Sequence, residues 1–338
     1  MEKREKEFER NLELEKFLKE INGDLLCAEQ KLLKKAYPKS PVILVMGALR
    51  SGTTLMTQWL SNTREFACPT NLISRFFEAP IIGAKIQRLL FDPMLNFRDE
   101  LVDFSKKNDY FSQNGKTQGP LSPNEFWYFW RRFFPYADLE IDYMPDIELM
   151  KVFDKDTFVK EIMGMANVLQ KPIVMKGMIA NYNIEFLDDI LDNVIFLYIK
   201  REPCSNIVSA LEAKRRQLGD DKVWFSFRIP EMKELLKIRE PSIQMAGQIY
   251  YINQAIERSL EKVSQERKLE IQYEEFCEKP EKFYHILRGK LKLQGFSISE
   301  KYCGEEKFNV VKRGFDPEIY KFYKSFECKK RSEKEWIY

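Results

Sequence analysis

The chain has 338 residues, 44% of them hydrophobic, and its 55 basic residues nearly cancel 52 acidic ones to leave a formal charge of +3. That balance removes any general electrostatic case for nucleic acid or an anionic membrane surface, so an anion site has to be local. One histidine, His285, takes away most support for histidine metal sites and for Ser-His or Cys-His triads, and six cysteines without a C-x-x-C pair argue against a disulfide or zinc framework.

No apolar signal segment opens the sequence, and no apolar run approaches the roughly 18–20 residues that span a bilayer. The expectation is a soluble protein with reduced thiols in a cytoplasm. Residues 1–37 are charge-dense, with Phe8, Leu12, Phe17, Leu18, Ile21, Leu25 and Leu26 at helical spacing. They predict an amphipathic N-terminal extension laid on the domain, a partner-binding arm being the alternative. "YPKSP" breaks that helix, and the domain proper runs over 38–338.

Val42 to Met46 reads as a buried strand and Thr53 to Leu60 as the opening of a helix. "PIVMK", ending at Lys176, and "NVIFLYIKR", ending at Arg201, are two more strands, with "IEFLDDIL" as a helical connector; "KLEIQY", ending at Tyr273, is a fourth. Short apolar strands alternating with helices predict an α/β fold, and the P-loop-spaced Gly47, Gly52 and Thr54 after the first strand make it of the P-loop nucleotide-kinase-like type. Its sheet is parallel, helices cover both faces, and ligands bind outside the carboxyl ends of the strands. Residues 92–150 read as an aromatic-rich, helical insertion within one domain. His285 falls in "EKFYHILRGKLKL", where the periodicity is that of a late amphipathic helix.

"VILVMGALRSGTTL" follows the P-loop spacing, with Gly47, Gly52 and Thr54 in place, but the lysine slot holds Thr53. A strand, a tight glycine turn and a helix N-terminus still aim several N–H groups and a partial positive charge at one oxyanion. Arg50 adds a fixed cation, and Ser51, Thr53 and Thr54 add hydroxyls. Kinases and NTPases hold Mg²⁺ with an acid at the end of another strand. Here "VIFLYI" ends in Lys200 and Arg201, which repel a cation and attract a second anion. Pro203 starts a helix that carries Ser209 back over the same ligand. The pattern suits a nucleotide with phosphates at two ends and no metal.

"GALRSGTTL" and "IKREPCSNIVSAL", about 150 residues apart and each after a strand, resemble the two cofactor motifs of sulfotransferases that use 3′-phosphoadenosine 5′-phosphosulfate. "IQYEEFCEKPEKFYHIL" and "VVKRGFDPE" resemble later stretches of that family, and the likeness spans roughly 40–320. The resemblance implies that Arg50, Ser51, Gly52, Thr53 and Thr54 hold the 5′-phosphosulfate, and Arg201 and Ser209 the 3′-phosphate. It further implies that Lys312, Arg313 and Gly314 close over that phosphate, against a solvated basic turn. Tyr273 would pack near the adenine, against a core tyrosine. Lys176 resembles a strand-end lysine beside the bridging oxygen, against a surface lysine. The product would be adenosine 3′,5′-bisphosphate.

Sulfuryl transfer needs positioning, charge stabilisation and a base for the acceptor hydroxyl. The histidine that small-molecule members use has no counterpart, since His285 lies on a late helix, and an ungapped comparison with tyrosylprotein members puts Asn71 where they carry glutamate. Glu78, seven residues on and on the same face if the stretch is helical, is the first candidate base. Glu125 in "SPNEFWYFWRRF" is the second; an ordinary salt-bridge role is the alternative for both. Trp127, Tyr128, Trp130, Phe133, Phe134 and Tyr136, with Arg131 and Arg132 among them, point to a carbohydrate or glycan acceptor, against an insertion helix packed into the core. A degenerate P-loop kinase and a non-catalytic bisphosphate-binding protein are the rival readings.

Overall fold

Four short runs of apolar residues make a parallel sheet: β1 (Val42–Met46), β2 (Ile173–Lys176), β3 (Val194–Lys200) and β4 (Lys268–Gln272), in the order β2-β1-β3-β4. Val42 lies opposite both Ile173 and Val194, and Phe196 opposite Lys268. The computed structural model describes residues 5–96, 98, 110, 112–113, 116–137, 139–221, 223–314 and 316–334. Around the sheet stand α1 (Leu12–Leu33), α2 (Thr53–Asn62), α3 (Pro80–Phe91), α4 (Trp127–Phe133), α5 (Lys155–Leu169) and α6 (Ile184–Ile190), followed by α7 (Pro203–Leu218), α8 (Pro241–Lys262), α9 (Tyr273–Glu278), α10 (Pro280–Leu293) and α11 (Pro317–Lys334).

Every residue of β1 is buried, because both faces of the sheet are covered. Ile43, Val45, Ile195, Leu197 and Ile199 pack on Met56, Trp59 and Leu60 of α2 and on Phe276, Tyr284 and Leu287 of α9 and α10. Val42, Leu44, Met46, Phe196 and Tyr198 pack on the other side with Ile162 of α5, Ile207 of α7 and Ile249 of α8. This is the parallel sheet with helices on both faces that the strand pattern predicts. Proline opens α3, α7, α8 and α10, where its missing N–H costs nothing. Glu202 caps α7 by accepting from Cys204 N at 2.9 Å and Ser205 N at 2.7 Å, and left-handed Gly219 ends it.

The N-terminal helix is part of the domain. Buried Glu29 of α1 accepts N–H bonds from Ile81 at 2.8 Å and Ile82 at 3.0 Å, and so places a carboxyl group at the first turn of α3. Burial raises its pKa against the pull of those two bonds. Asn22 ties the same helix to Arg75 O and Glu78 N, both at 2.8 Å. Among the described residues, no helix is long and apolar enough to cross a membrane.

The aromatic stretch is mostly core. Phe129, Trp130, Phe133, Phe134 and Tyr136 are buried, with Phe133 edge-on to Phe158 at 5.0 Å and Phe134 to Phe153 at 5.3 Å. Of the rings expected to border an acceptor, only Trp127 and Tyr128 keep appreciable exposure. The structure therefore favours the packed insertion helix. Part of the 92–150 insertion lies outside the described residues. One strand boundary also moves: β4 ends at Gln272, and Tyr273 opens α9.

Candidate active site

β1 delivers the chain into a turn that permits little variation. Gly52 sits at φ +108°, and a Cβ there would lie 2.5 Å from a ring carbon of Tyr273. A Cβ on Gly47 would lie 2.6 Å from Ser51 Oγ and 2.9 Å from Ile199 O. Arg50 takes the left-handed region at φ 63°, uncommon for a side chain of its size and held here by its surroundings. Asn181 clamps Gly47 from below, its Nδ2 donating to Gly47 O at 2.9 Å. With its amide nitrogen turned toward the loop, Asn206 of α7 donates to Leu49 O and Arg50 O, each at 3.0 Å. Neither asparagine is visible as a site residue in the sequence, since both act on the loop from more than a hundred residues away.

The two sequence motifs meet at this turn. Arg50 Nε donates to Ser209 Oγ at 3.3 Å, and Arg201 donates to Arg50 O at 3.1 Å and to Val311 O at 2.8 Å. The Arg201 guanidinium lies 4.8 Å from the Tyr273 ring centroid. Arg313 approaches from the C-terminal loop and donates to Glu212 Oε2 through Nε at 2.9 Å and Nη2 at 2.7 Å. Arg50, Ser51, Gly52, Thr53, Thr54, Arg201, Ser209, Tyr273 and Arg313 are thus linked around one surface. Lys312 and Gly314 are exposed on the same loop, and Gly314 has open space where a Cβ would stand.

This surface is short of negative charge. Burial lowers the Arg50 pKa, and Arg216, Arg201 and Arg313 lower it further by repulsion. Burial likewise lowers that of Arg201, with Arg313 adding repulsion against the partial relief that Tyr273 provides. Ser51 Oγ and Arg201 Nε are buried with no hydrogen-bond partner among the described residues. A buried donor left unpaired costs about 1–3 kcal/mol, which an oxyanion ligand would recover. The helix N-terminus at Thr53, the orphaned donors and the crowded guanidiniums fit a multiply charged phosphate ligand.

A second cluster adjoins the first. Lys176 at the end of β2 has a side chain only 4% exposed; its Nζ donates to Thr54 Oγ1 at 2.9 Å and forms an ion pair with Glu125. The other carboxylate oxygen of Glu125 accepts from Trp127 Nε1 at 2.6 Å. Trp127, Trp130, Met178 and Ile179 pack around the pair. Glu125 is held in place by its neighbour: Asn124 N donates to Pro69 O at 2.8 Å, and Asn124 Nδ2 to Asn71 Oδ1 at 2.7 Å. Asn71, which cannot take a proton itself, braces the loop that carries the carboxylate. Phe126, next in sequence, is left-handed at φ 56°, a local strain of the kind concentrated at functional sites.

Glu78 sits in a different setting. The chain from Asn71 is broken into a short 3-10 turn, Ile73–Phe76, and a helix that starts afresh at Pro80, so Asn71 and Glu78 do not share a helical face. The Glu78 backbone is engaged with Asn22 at the α1 junction. His285 lies on an exposed face of α10, with Nε2 3.5 Å from Glu281, as its periodicity predicts.

Residues 41–294 match a model described as the sulfotransferase family. Among solved structures, the sulfotransferase STF9 from Mycobacterium avium aligns with a TM-score of 0.49 and 13% identity, over 80% of this chain and 68% of that one. STF1 from Mycobacterium tuberculosis H37Rv gives 0.47 and 11%, over 82% and 73%. A sulfotransferase from Alicyclobacillus acidocaldarius gives 0.40 and 16%, over 86% and 92%. No curated protein matches the sequence. With the family model covering residues 41–294 of 338, and the strand-turn-helix motifs it contains meeting in one basic surface, the chain belongs to the sulfotransferase family.

Proposed function

We propose that this enzyme takes a sulfuryl group from 3′-phosphoadenosine 5′-phosphosulfate and passes it to an acceptor hydroxyl, with Glu125 as the general base. The observation that carries the reading is the meeting of the two motifs: Arg201 bonded to Arg50 O, and Arg50 bonded to Ser209. In this assignment Arg50, Ser51, Gly52, Thr53 and Thr54 bind the 5′ end of the donor. Arg201, Ser209, Lys312, Arg313 and Gly314 bind its 3′-phosphate, and Tyr273 borders the adenine. When bound, the donor supplies an SO₃-like unit on a phosphate leaving group.

The chain's own residues supply the rest. Arg50 and the first N–H groups of α2 stabilise charge developing at the 5′ end. Lys176, fixed on Thr54, adds a buried cation beside the loop. Glu125, oriented by Trp127 and Asn124, accepts the proton of the acceptor hydroxyl. Its place beside Lys176 supports it over Glu78, which does not share a continuous helix with Asn71. The aromatic support for a glycan acceptor now rests on Trp127 and Tyr128 alone, so a glycan is one class among those to be tested.

The test is incubation with sulfur-labelled donor, EDTA and a panel of glycans, peptides and phenols. Metal-free transfer of label supports the proposal. Turnover only with ATP and Mg²⁺ would instead favour the kinase. Tight binding of adenosine 3′,5′-bisphosphate with no transfer across the panel would favour a binding module.

A further inference from the structure

The basic surface contains a carboxylate that the sequence motifs leave out. Ser209, Glu212 and Arg216 fall at i, i+3 and i+7 on α7, so one face of that helix presents all three. Ser209 on this face meets Arg50, and Glu212 meets Arg313 through two nitrogens at 2.9 and 2.7 Å. Arg201, by donating to Val311 O at 2.8 Å, holds the strand of loop that carries Arg313 in reach of Glu212. The pair is only part-covered, with side-chain exposures of 20% for Arg313 and 43% for Glu212.

We propose that Glu212 is an internal competitor for the anion that Arg313 binds: it partners Arg313 in the free enzyme and weakens retention of the bisphosphate product after transfer. The inference rests on the reading that this cluster holds the 3′-phosphate. Four arginines, Arg50, Arg201, Arg216 and Arg313, act on this surface. Unopposed, they would grip donor and product alike, and uniform binding of that kind slows product release without speeding the chemical step. A carboxylate on the same helix face subtracts from that potential. It also gives Arg313 a partner to return to when the ligand departs. Arg313, Arg216 and Arg50 all hold the Glu212 carboxyl below its usual pKa, so it is ionised where it competes.

Calorimetry with adenosine 3′,5′-bisphosphate and adenosine 5′-monophosphate, on the wild type and on Glu212→Gln, decides the matter. A unit negative charge about 6 Å from a doubly charged phosphate, at the dielectric of water, weakens binding roughly tenfold. Glu212→Gln should therefore bind the bisphosphate about tenfold tighter, with most of the gain in slower dissociation, while the monophosphate changes less than threefold. In an Arg313→Met background the direct repulsion remains but no arginine is freed, so the gain should be smaller than in the wild type; an equal gain would show that Glu212 does not act through Arg313. The substitution is isosteric and part-exposed, so folding is not at risk.

If Glu212 instead orients Arg313 for the phosphate, Glu212→Gln weakens bisphosphate binding. That result, or an unchanged affinity, overturns the inference while leaving the site assignment intact. A wild type that binds both nucleotides alike would overturn the site assignment, and the inference with it.

Discussion

Replacing Glu125 by glutamine separates a catalytic from a structural role. The substitution keeps the shape and removes the charge opposite Lys176, whose side chain is 4% exposed. Breaking a fully buried ion pair costs about 3–5 kcal/mol, and here about 2–3 kcal/mol is expected, because Glu125 is 24% exposed and Thr54 still receives a bond from Lys176. At an unfolding entropy of about 2.1 cal/mol/K per residue, that loss lowers Tm by about 3–4 °C for a chain of this length. As the general base, Glu125 is worth about 10² or more in kcat. Label transfer and thermal unfolding are measured for Glu125→Gln and for Glu125→Gln with Lys176→Met. The double variant should regain the lost Tm, because no unpaired cation remains, but none of the lost turnover. A single variant with the lowered Tm and turnover within tenfold of wild type would refute the base assignment and leave Glu125 as a counter-ion. Glu78→Gln, the control, should turn over near normally.

Arg201→Ala should weaken bisphosphate binding by about 2–3 kcal/mol on calorimetry, the scale of a lost charge-assisted contact; unchanged affinity would remove Arg201 from the 3′ site. Gly52→Ala forces a Cβ to 2.5 Å from the Tyr273 ring at φ +108°, and should cost at least about 2 kcal/mol of stability and most bisphosphate affinity. A stable variant with normal binding would contradict that turn geometry. Burial pushes Glu161 up to about 7 from 4.5, against the pull of Arg132, which donates to both its oxygens at 2.8 and 3.0 Å. The folded state then holds this proton more tightly than the unfolded one, so its stabilising contribution is full below pH 4.5 and is lost as pH rises through about 7. Urea midpoints over that window should fall less steeply in Glu161→Gln; an identical slope would show that other groups set it.

Period and spacing were enough for the parts of this protein that are local. β1, β2 and β3 announce themselves as apolar runs because a strand covered on both faces excludes polar residues along its length. The phosphate turn is equally local: Gly47 and Gly52 are needed where a Cβ would strike Ser51 and Tyr273. Arg50 and Arg201 each follow a strand end, and parallel strands deliver their carboxyl ends to the same edge, while Ser209 returns to that edge on the helix that Pro203 opens.

Packing alone sets the contacts between residues far apart in sequence. The proposal of Glu125 over Glu78 rests on such contacts: the fold brings Glu125 to Lys176, 51 residues later, and Asn71 reaches across 53 residues to brace Asn124. The aromatic run looked like a ligand surface, yet α4 turns Trp130 and Phe133 into the core, a choice of face that composition does not encode. Glu212 shares a helical period with Ser209 that the sequence displays in "SALEAKRR", but the arginine opposing it lies 101 residues on. Local pattern fixes which elements form; which side chains face one another depends on how the elements pack, and that packing assembles the site.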